Sequence, residues 1–374
     1  MLRSFAKTGL ACSLHWTGAG RLIGAVTGAR RLPWIVGYHM VVEDMVHAGD
    51  SILANLISRR TLEQHLDWLG RRYHLLSLDE LGAQLESGDP FDKPTAAITF
   101  DDGYADVYHH AFPLLKRKGI PAGIFVVTDL VDTARLQIYD KLYLLLARWC
   151  SRQPAASRDL GRLLGHLGMR LPEGNGLNTV MHDPFTTMRT LFTTLPQSEM
   201  HRVIDVLEAC VDIEERELRE LHSLTWEMVA EMRRAGMTIG SHTRTHALLT
   251  NESLERVREE TAESRRTLEQ KLGTPVHHFA YPDGRFNAAT VSSVAASGYR
   301  FGYTTCLHRD PLYPLLTIPR TLLWENSCLN AHGQFSCSIM SCQAHRVFDL
   351  LAGCRQHHGR PAVTHSSPAW SPRS

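Results

Sequence analysis

No run in this chain approaches the roughly 18 consecutive apolar residues that a membrane-spanning helix needs. Neither sign of charge is in excess, with 40 basic against 39 acidic residues and a formal net charge of +1. A nucleic-acid binder normally carries a basic surplus, so no nucleic acid is expected as a partner. Cysteine is sparse, eight in 374 residues, and no two are spaced Cys-x-x-Cys. That argues against a disulfide scaffold, a zinc ribbon and a thioredoxin-type site, and it leans towards a reducing compartment. Before Trp34 there is no Asp or Glu at all, while Arg3, Lys7, Arg21, Arg30 and Arg31 are present. The stretch between Lys7 and Arg21 is only mildly apolar and is broken by His15 and Gly18-Ala19-Gly20, a poor core for an export signal. Residues 1–33 therefore read as a basic amphipathic segment that packs on the domain or lies on an anionic membrane surface. The expected compartment is the cytoplasm, with peripheral membrane contact through this segment; export is the second alternative.

An apolar fraction of 43% and a charged fraction of 21% fit a globular protein long enough for one large α/β domain with additions. Strand-like runs alternate with helix-like ones. Pro33 to Met40 reads as the first strand, and Thr61 to Arg72 as a helix. Asp79 looks like the N-cap of a helix from Glu80 to about Glu86. Ala96 to Phe100, a helix from Tyr104 to Lys118, and a strand from Pro121 to Val127 make a parallel crossover. Residues from about 133 to 222 break the rhythm with helical patterns at Tyr139–Ala147, Glu199–Cys210 and Glu214–Leu221, and read as a helical insertion. A loose segment near Leu171–Asn178 separates them. Strands then return at Met237–Gly240, Val276–Tyr281, Phe301–Thr305 and Leu315–Pro319, with a long charged helix from Ser253 to Leu272 between the first two. The expected domains are a core over 34–320, a C-terminal extension over 321–364 and a disordered tail over 365–374. This pattern predicts an α/β fold, a distorted (β/α) barrel of about seven parallel strands carrying a helical insertion.

In such barrels functional groups gather at the C-terminal ends of strands. Three polar clusters fall at predicted strand ends: Asp101-Asp102-Gly103, His242 with His246, and Tyr281-Pro282-Asp283. Paired carboxylates and a His-x-x-x-His pair offer one oxygen and two imidazoles, a ligand set for a divalent metal with open coordination positions. The remaining carboxylate is a ready general base, so the combination points to metal-assisted hydrolysis. If the His pair lies on a helix, both rings share one face. His39 follows a predicted strand and could line the site or serve packing. His277-His278 read as surface groups, and Trp324-Glu325-Asn326 as a groove wall or a barrel cap.

These clusters resemble the motifs of the polysaccharide deacetylase family, carbohydrate esterase family four, in its exopolysaccharide-modifying subgroup. Thr99-Phe100-Asp101-Asp102-Gly103 is similar to the family's first motif, Ser241-His242-Thr243-Arg244-Thr245-His246 to its second, and Phe279 to Gly284 to its third. The resemblance runs from Trp34 to Arg320. It implies Asp101 as general base and Asp102, His242 and His246 as metal ligands. It also implies an oxyanion and substrate contact at Tyr281, Pro282 and Asp283. Zinc is the expected cation, with cobalt, nickel or manganese as alternatives. The implied partner is an N-acetylated glycan, as a polysaccharide or its lipid-linked precursor. Ala280 stands where the family has a base-orienting Arg, and Asp283 where it has an aromatic residue, so Arg285 or Arg320 is expected to substitute. The family's acid, a His in a Leu-x-His element, has no counterpart in Leu315-Leu316-Thr317, which leaves His308 and His332 as candidates. The departures keep two alternatives open: an O-acetyl esterase acting on a glycan, and a non-catalytic glycan-binding or assembly protein.

Overall fold

The computed structural model describes residues 2–26, 32–47, 52–152, 183–213 and 221–348, with residues 161, 164, 165, 168, 354 and 358. The chain begins with α1 (Leu2–Trp16) and α2 (Ala19–Val26), then β1 (Trp34–Tyr38), β2 (Met40–Val42), β3 (Leu56–Ser58) and α3 (Arg59–Gly70). It continues through β4 (His74–Leu75), α4 (Leu78–Ser87), β5 (Thr95–Phe100), α5 (Phe112–Lys118) and β6 (Ala122–Val126). The insertion supplies α6 (Ile138–Arg152), α7 (Pro184–Thr194) and α8 (Gln197–Glu208). After it come α9 (Trp226–Arg234), β7 (Thr238–Ser241), α10 (Leu254–Leu272), β8 (His278–Ala280), α11 (Ala288–Ala296), β9 (Phe301–Thr304), β10 (Ile318–Leu322) and α12 (Cys337–Ala344).

The main sheet has the order β1-β10-β9-β8-β7-β6-β5-β4, and β1 also pairs with β5. Seven parallel strands therefore close a ring, with β4 appended to the start of β5. Side chains alternate across each strand. On β5, Ala96, Ile98 and Phe100 pack under the outer helices, whereas Ala97 faces the interior with Ile35, Phe125, Ala280, Tyr303 and Ile318. Thr99 and Asp101 continue the face of Ala97, and Arg320 continues that of Ile318. The alternation thus delivers an acid and a base to the top of a narrow apolar barrel.

Several local expectations are corrected. The N-cap of α4 is Ser77, in a capping box with Glu80, and not Asp79. Asp79 is the second residue of the helix and binds Thr238 Oγ1 at 2.9 Å and His278 Nε2 at 3.1 Å. His278 is accordingly buried rather than superficial, because it points inward on β8, where Tyr303 Oη meets its Nδ1 at 3.0 Å. The helix after β5 opens with π turns over Val107–Ala111. Pro113 lacks the N–H that would extend the ladder back to His109. The last strand starts at Ile318 rather than Leu315, since Pro314–Leu316 forms a tight 3₁₀ turn, and it passes the expected domain end by two residues.

The insertion has its own core, in which Leu142, Leu145 and Leu146 of α6 meet Met188, Leu191 and Phe192 of α7 and Met200, Val203 and Ile204 of α8. Helix α7 lies between the helical patterns expected from the sequence, although Asp183 caps it and Pro184 opens it, a recognisable start signal. The helix expected over Glu214–Leu221 and the loose segment Leu171–Asn178 fall outside the described residues, apart from Leu221. The tail 365–374 does too. At the other end, α1 packs on α12 through Ala11, Ile339 and Cys342, and Lys7 Nζ donates to the Ser327 carbonyl at 2.7 Å. The described parts of the basic N-terminal segment and of the C-terminal extension therefore pack on each other through α1 and α12. No helix of the described residues is long and apolar enough to cross a membrane.

Gly302 on β9 shows how tightly the ring is packed, since a Cβ there would lie 2.3 Å from the Leu316 carbonyl oxygen. A Cβ on Gly70, at the end of α3, would meet nothing within 4 Å. Gly302→Ala is expected to lower stability by about 1–3 kcal/mol, and Gly70→Ala to change it by roughly 0.5 kcal/mol or less. Chemical denaturation of the two variants side by side measures the difference.

Candidate active site

Asp101 follows β5, and its N–H donates to the Tyr38 carbonyl at 2.9 Å, the last rung of the β5–β1 ladder. Asp102 and Gly103 both turn left-handed, with φ of 72° each. Gln137 Nε2 fixes this turn by donating to the Asp102 carbonyl at 3.0 Å. The reversal sends the two carboxylates in different directions. The same device recurs at Thr243 (φ 67°), His246 (φ 61°) and Asp283 (φ 54°). Non-glycine residues in this region each cost on the order of 1–3 kcal/mol and tend to cluster at functional sites.

The His-x-x-x-His segment is not a helix. It is a loop held by the fully buried carboxylate of Glu260 on α10, which accepts from the N–H groups of Arg244 and Thr245 at 2.9 and 2.8 Å. The two left-handed residues, not helical spacing, bring the rings of His242 and His246 to a 4.9 Å centroid separation. His242 Nδ1 lies 2.8 Å from the Ala280 carbonyl. A carbonyl only accepts, so Nδ1 carries the proton and Nε2 presents a lone pair to the site.

Three atoms converge there. Asp102 Oδ1 is 3.3 Å from His242 Nε2 and 3.2 Å from His246 Nε2. Ligands about 2.0–2.1 Å from a tetrahedral zinc ion stand roughly 3.3 Å apart. Asp102 Oδ1 is also buried without a hydrogen-bond partner among the described residues. The donor set and the orphaned oxygen fit a divalent cation, with the remaining positions open towards the pocket. Burial alone would raise the Asp102 pKa, but His242 and His246 hold it well below the usual carboxylate range. Burial pulls His246 down, which favours the neutral imidazole a cation needs.

The second oxygen of Asp102 starts a buried relay. Tyr139 Oη donates to Asp102 Oδ2 at 2.7 Å, Tyr104 Oη lies 2.6 Å from Tyr139 Oη, and Asp140 Oδ2 lies 2.5 Å from Tyr104 Oη. Two phenols have one proton each. With Asp102 ionised, all three contacts are satisfied together only when Asp140 is protonated and donates to Tyr104, which donates to Tyr139; an ionised Asp140 accepts from Tyr104 instead and leaves the phenol–phenol contact without a proton. Burial and the nearby Asp102 charge push Asp140 up to about 8, consistent with that count.

Asp101 is paired with Arg320. The guanidinium donates from Nη1 to Oδ1 and from Nη2 to Oδ2, both at 2.7 Å, and Nη1 also reaches Thr99 Oγ1 at 3.1 Å. Burial would raise the Asp101 pKa, but Arg320 and His242 more than offset it and hold the carboxyl below the usual range. Arg320 sits on β10 and Asp101 after β5, with β1 between them. Gly37 of β1 leaves the crossing clear: a Cβ there would lie 3.3 Å from Thr99 Oγ1 and 2.4 Å from Leu322 Cδ2. Arg285 does not take the orienting position, because it pairs with Asp283 at 2.9 Å.

A pocket of about 270 Å³ lies over these groups. His39, Tyr281, Asp283 and Trp324 line it together with Asp101, Asp102, His242, His246 and Arg320. Its outer wall is α7, through Phe185, Met188, Arg189 and Phe192, which carry no motif in the sequence. Arg189 grips the Asp283 carboxylate with bonds of 2.9 and 3.1 Å, and Phe192 stacks on the His246 ring. Pro282 is buried beneath the same turn. His39 Nε2 comes within 4.0 Å of Asp102 Oδ2. His308 and His332 are elsewhere, which corrects their candidacy. His308 stacks on His358 beyond the β9 end, and His332, in an exposed turn, meets the ring of Phe5.

Replacing Arg320 by Met would bury an uncompensated Asp101 charge. Wild-type Asp101, with its depressed folded pKa, stabilises the fold above the unfolded carboxylate pKa and loses that contribution as pH falls. In the variant the largest downward influence on Asp101 is gone, so burial lifts its pKa and it takes up a proton at higher pH. Arg320→Met is expected to lose about 3–5 kcal/mol at neutral pH and clearly less near pH 5, and Arg320→Lys to lose less than Met at neutral pH. Denaturant unfolding at both pH values checks this.

Comparison with known proteins agrees with the geometry. A family model described as polysaccharide deacetylase matches residues 88–153 and 183–302, and the gap between them falls inside the insertion. The Bacillus subtilis (strain 168) protein YxkH, to which polysaccharide deacetylase function is ascribed, is 22% identical over 262 residues, 70% of this chain. The matched stretch is 63% of that relative's own length. Among solved structures, the Streptococcus pyogenes deacetylase PplD in complex with acetate is 20% identical, with a TM-score of 0.50 over 79% of this chain and 94% of that one. BC0361, a polysaccharide deacetylase from Bacillus cereus, is 17% identical, also with a TM-score of 0.50, over 84% of this chain and 69% of that one. At such identities the structural likeness is one of fold. Barrel, motifs and family match together place this chain in the polysaccharide deacetylase family.

Proposed function

We propose that this protein is a metal-dependent hydrolase that removes acetyl groups from N-acetylated sugars of a polysaccharide or of its lipid-linked precursor. The observation that carries this is the side-by-side arrangement of an ionised Asp101, held by Arg320, and the open donor set of Asp102, His242 and His246. Two imidazoles and one carboxylate suit zinc first, with cobalt, nickel and manganese also accommodated. When bound, such a cation supplies Lewis-acid chemistry, polarising an acetyl carbonyl and acidifying a water. Asp101 takes the proton of the attacking water. Arg320 keeps that carboxylate ionised and correctly turned. The left-handed turn at Asp283 offers backbone N–H to the oxyanion, while its side chain is held away by Arg189 and Arg285.

An amine leaves only when protonated. Among the described pocket residues, His39 is the one imidazole outside the ligand set, and we assign it the delivery of that proton. The pocket is at the small end of ligand clefts, which run about 300–1,000 Å³, and α7 walls its outer side. This supports a substrate that presents one sugar with its acetyl group, at a chain end or on a short precursor. An O-acetyl substrate is the second reading, favoured by how few proton donors face the pocket.

We also infer contact with an anionic membrane surface on the cytoplasmic side, where a lipid-linked precursor would be met. The N-terminal helices hold Phe5, Leu10, Trp16 and Leu22 exposed on a segment that carries only basic charges. The protein is expected to sediment with anionic vesicles but not zwitterionic ones, and Trp16→Ser with Leu22→Ser to weaken that binding.

Acetate release from N-acetylglucosamine oligomers tests the chemistry. Release is expected to vanish on chelation and return with zinc. Asp101→Asn is expected to keep the metal and lose about 10²–10⁴-fold in rate. His39→Gln is expected to slow N-acetyl substrates more than O-acetyl ones; equal loss on both would remove His39 from the proton-donor role.

A further inference from the structure

A second cluster of metal-binding type lies outside the pocket. The chain turns at Cys306 just beyond β9, and Cys354 and His358 of the C-terminal segment return to that turn. His358 Nε2 is 3.1 Å from Cys354 Sγ and 3.5 Å from Cys306 Sγ, and the three atoms all lie within 4.8 Å of one another. His358 Nδ1 is 3.2 Å from the Phe286 carbonyl. Since that oxygen only accepts, Nδ1 holds the proton and Nε2 turns its lone pair to both sulfurs. A carbonyl on the far nitrogen is the usual support of a metal-ligating imidazole. The ring is further held by His308, parallel to it at 4.2 Å, and by Phe286 at 4.3 Å.

One lone pair on Nε2 accepts from one thiol only, so without a metal the other thiol turns to its neighbouring sulfur while both sulfurs still crowd the same nitrogen. A tetrahedral zinc ion, with bonds of about 2.3 Å to sulfur and about 2.0–2.1 Å to nitrogen, spaces sulfur and nitrogen roughly 3.6 Å apart. The separation from Cys306 matches that, and the one from Cys354 is shorter. Two soft sulfurs and one imidazole also select a thiophilic cation over magnesium or calcium.

We propose that Cys306, Cys354 and His358 form a second zinc-type site, with water or another donor in the fourth position. On binding, each thiol releases its proton to solvent, two sulfur–metal bonds form, and no electrons are exchanged. The bound ion would fasten the C-terminal segment to the turn after β9 and to Phe286, three residues beyond Asp283. The site is thus a structural clip beside the loop that lines the pocket. It does not depend on the deacetylase reading, because none of its ligands lines the pocket.

The test uses the full chain, purified under reducing conditions, loaded with zinc or cobalt and desalted. The wild type is expected to retain about two zinc ions per chain and Cys354→Ser or His358→Gln about one. His246→Ala is also expected to retain about one, the other one. Cobalt-loaded wild type and His246→Ala should both show thiolate-to-cobalt charge-transfer absorption, and Cys354→Ser should lack it. Cys354 is exposed, so this variant is expected to keep the wild-type circular dichroism. Unchanged metal content and an unchanged thiolate band in Cys354→Ser would overturn the proposal. So would a Cys306–Cys354 disulfide found by peptide mapping of the zinc-loaded protein. Loss of metal only in His246→Ala would likewise leave the pocket site standing and sink this one.

Discussion

The buried pair between Asp101 and Arg320 is the constraint around which the top of the barrel is arranged. A buried ion pair is not a dependable source of stability, because desolvating two charges can outweigh their attraction. Its geometry here demands much of the fold. The β5, β1 and β10 strands must be in register, Thr99 must offer its hydroxyl, and β1 must have no side chain at Gly37. Arg320 also lies over the rings of Phe125 and Tyr303, at 5.3 and 5.9 Å, which places the cation against the apolar interior of the ring. A site that keeps such a pair in such a place uses it to hold one carboxylate ionised and oriented beside the metal-type ligand set.

The barrel, its strand count and the convergence of Asp101, Asp102, His242 and His246 are all legible in the sequence. The cause is simple: strands of parallel barrels are buried on both faces and leave strong apolar runs, and polar residues at their ends stand out. Arg320 is legible only as one of two alternatives, since nothing local says that a residue on the last strand reaches across a neighbour. The spacing of the His pair points to the right residues for an incomplete reason, because left-handed backbone at Thr243 and His246 leaves no periodic trace. His278 looks superficial in sequence because the pleat, not polarity, decides which of two adjacent histidines turns inward. His308 and His332 have only their region to recommend them, and tertiary packing assigns them to other neighbours.

The insertion is where sequence reasoning stops short. Two of its three described helices are recognisable, but their purpose is not. Packed together by Met188, Leu191 and Phe192, they bring α7 over the pocket and α6 under Asp102. A barrel with these motifs but no such helices would have an open groove. Here Arg189 and Asp283 join the insertion to the third motif, so the substituted aspartate has become an attachment point instead of an aromatic wall.

The relay from Asp102 to Asp140 gives that attachment a chemical condition. Tyr139 and Asp140 belong to α6, whereas Asp102 and Tyr104 belong to the barrel. In water near neutral pH Asp140 is ionised; in place, it must be neutral for the two phenols to have a proton between them. Seating the insertion on the barrel is therefore a proton-consuming step. Raising the pH from the usual carboxylate range to about 8 opposes it, and the union of the two parts of the molecule is in this sense a titration.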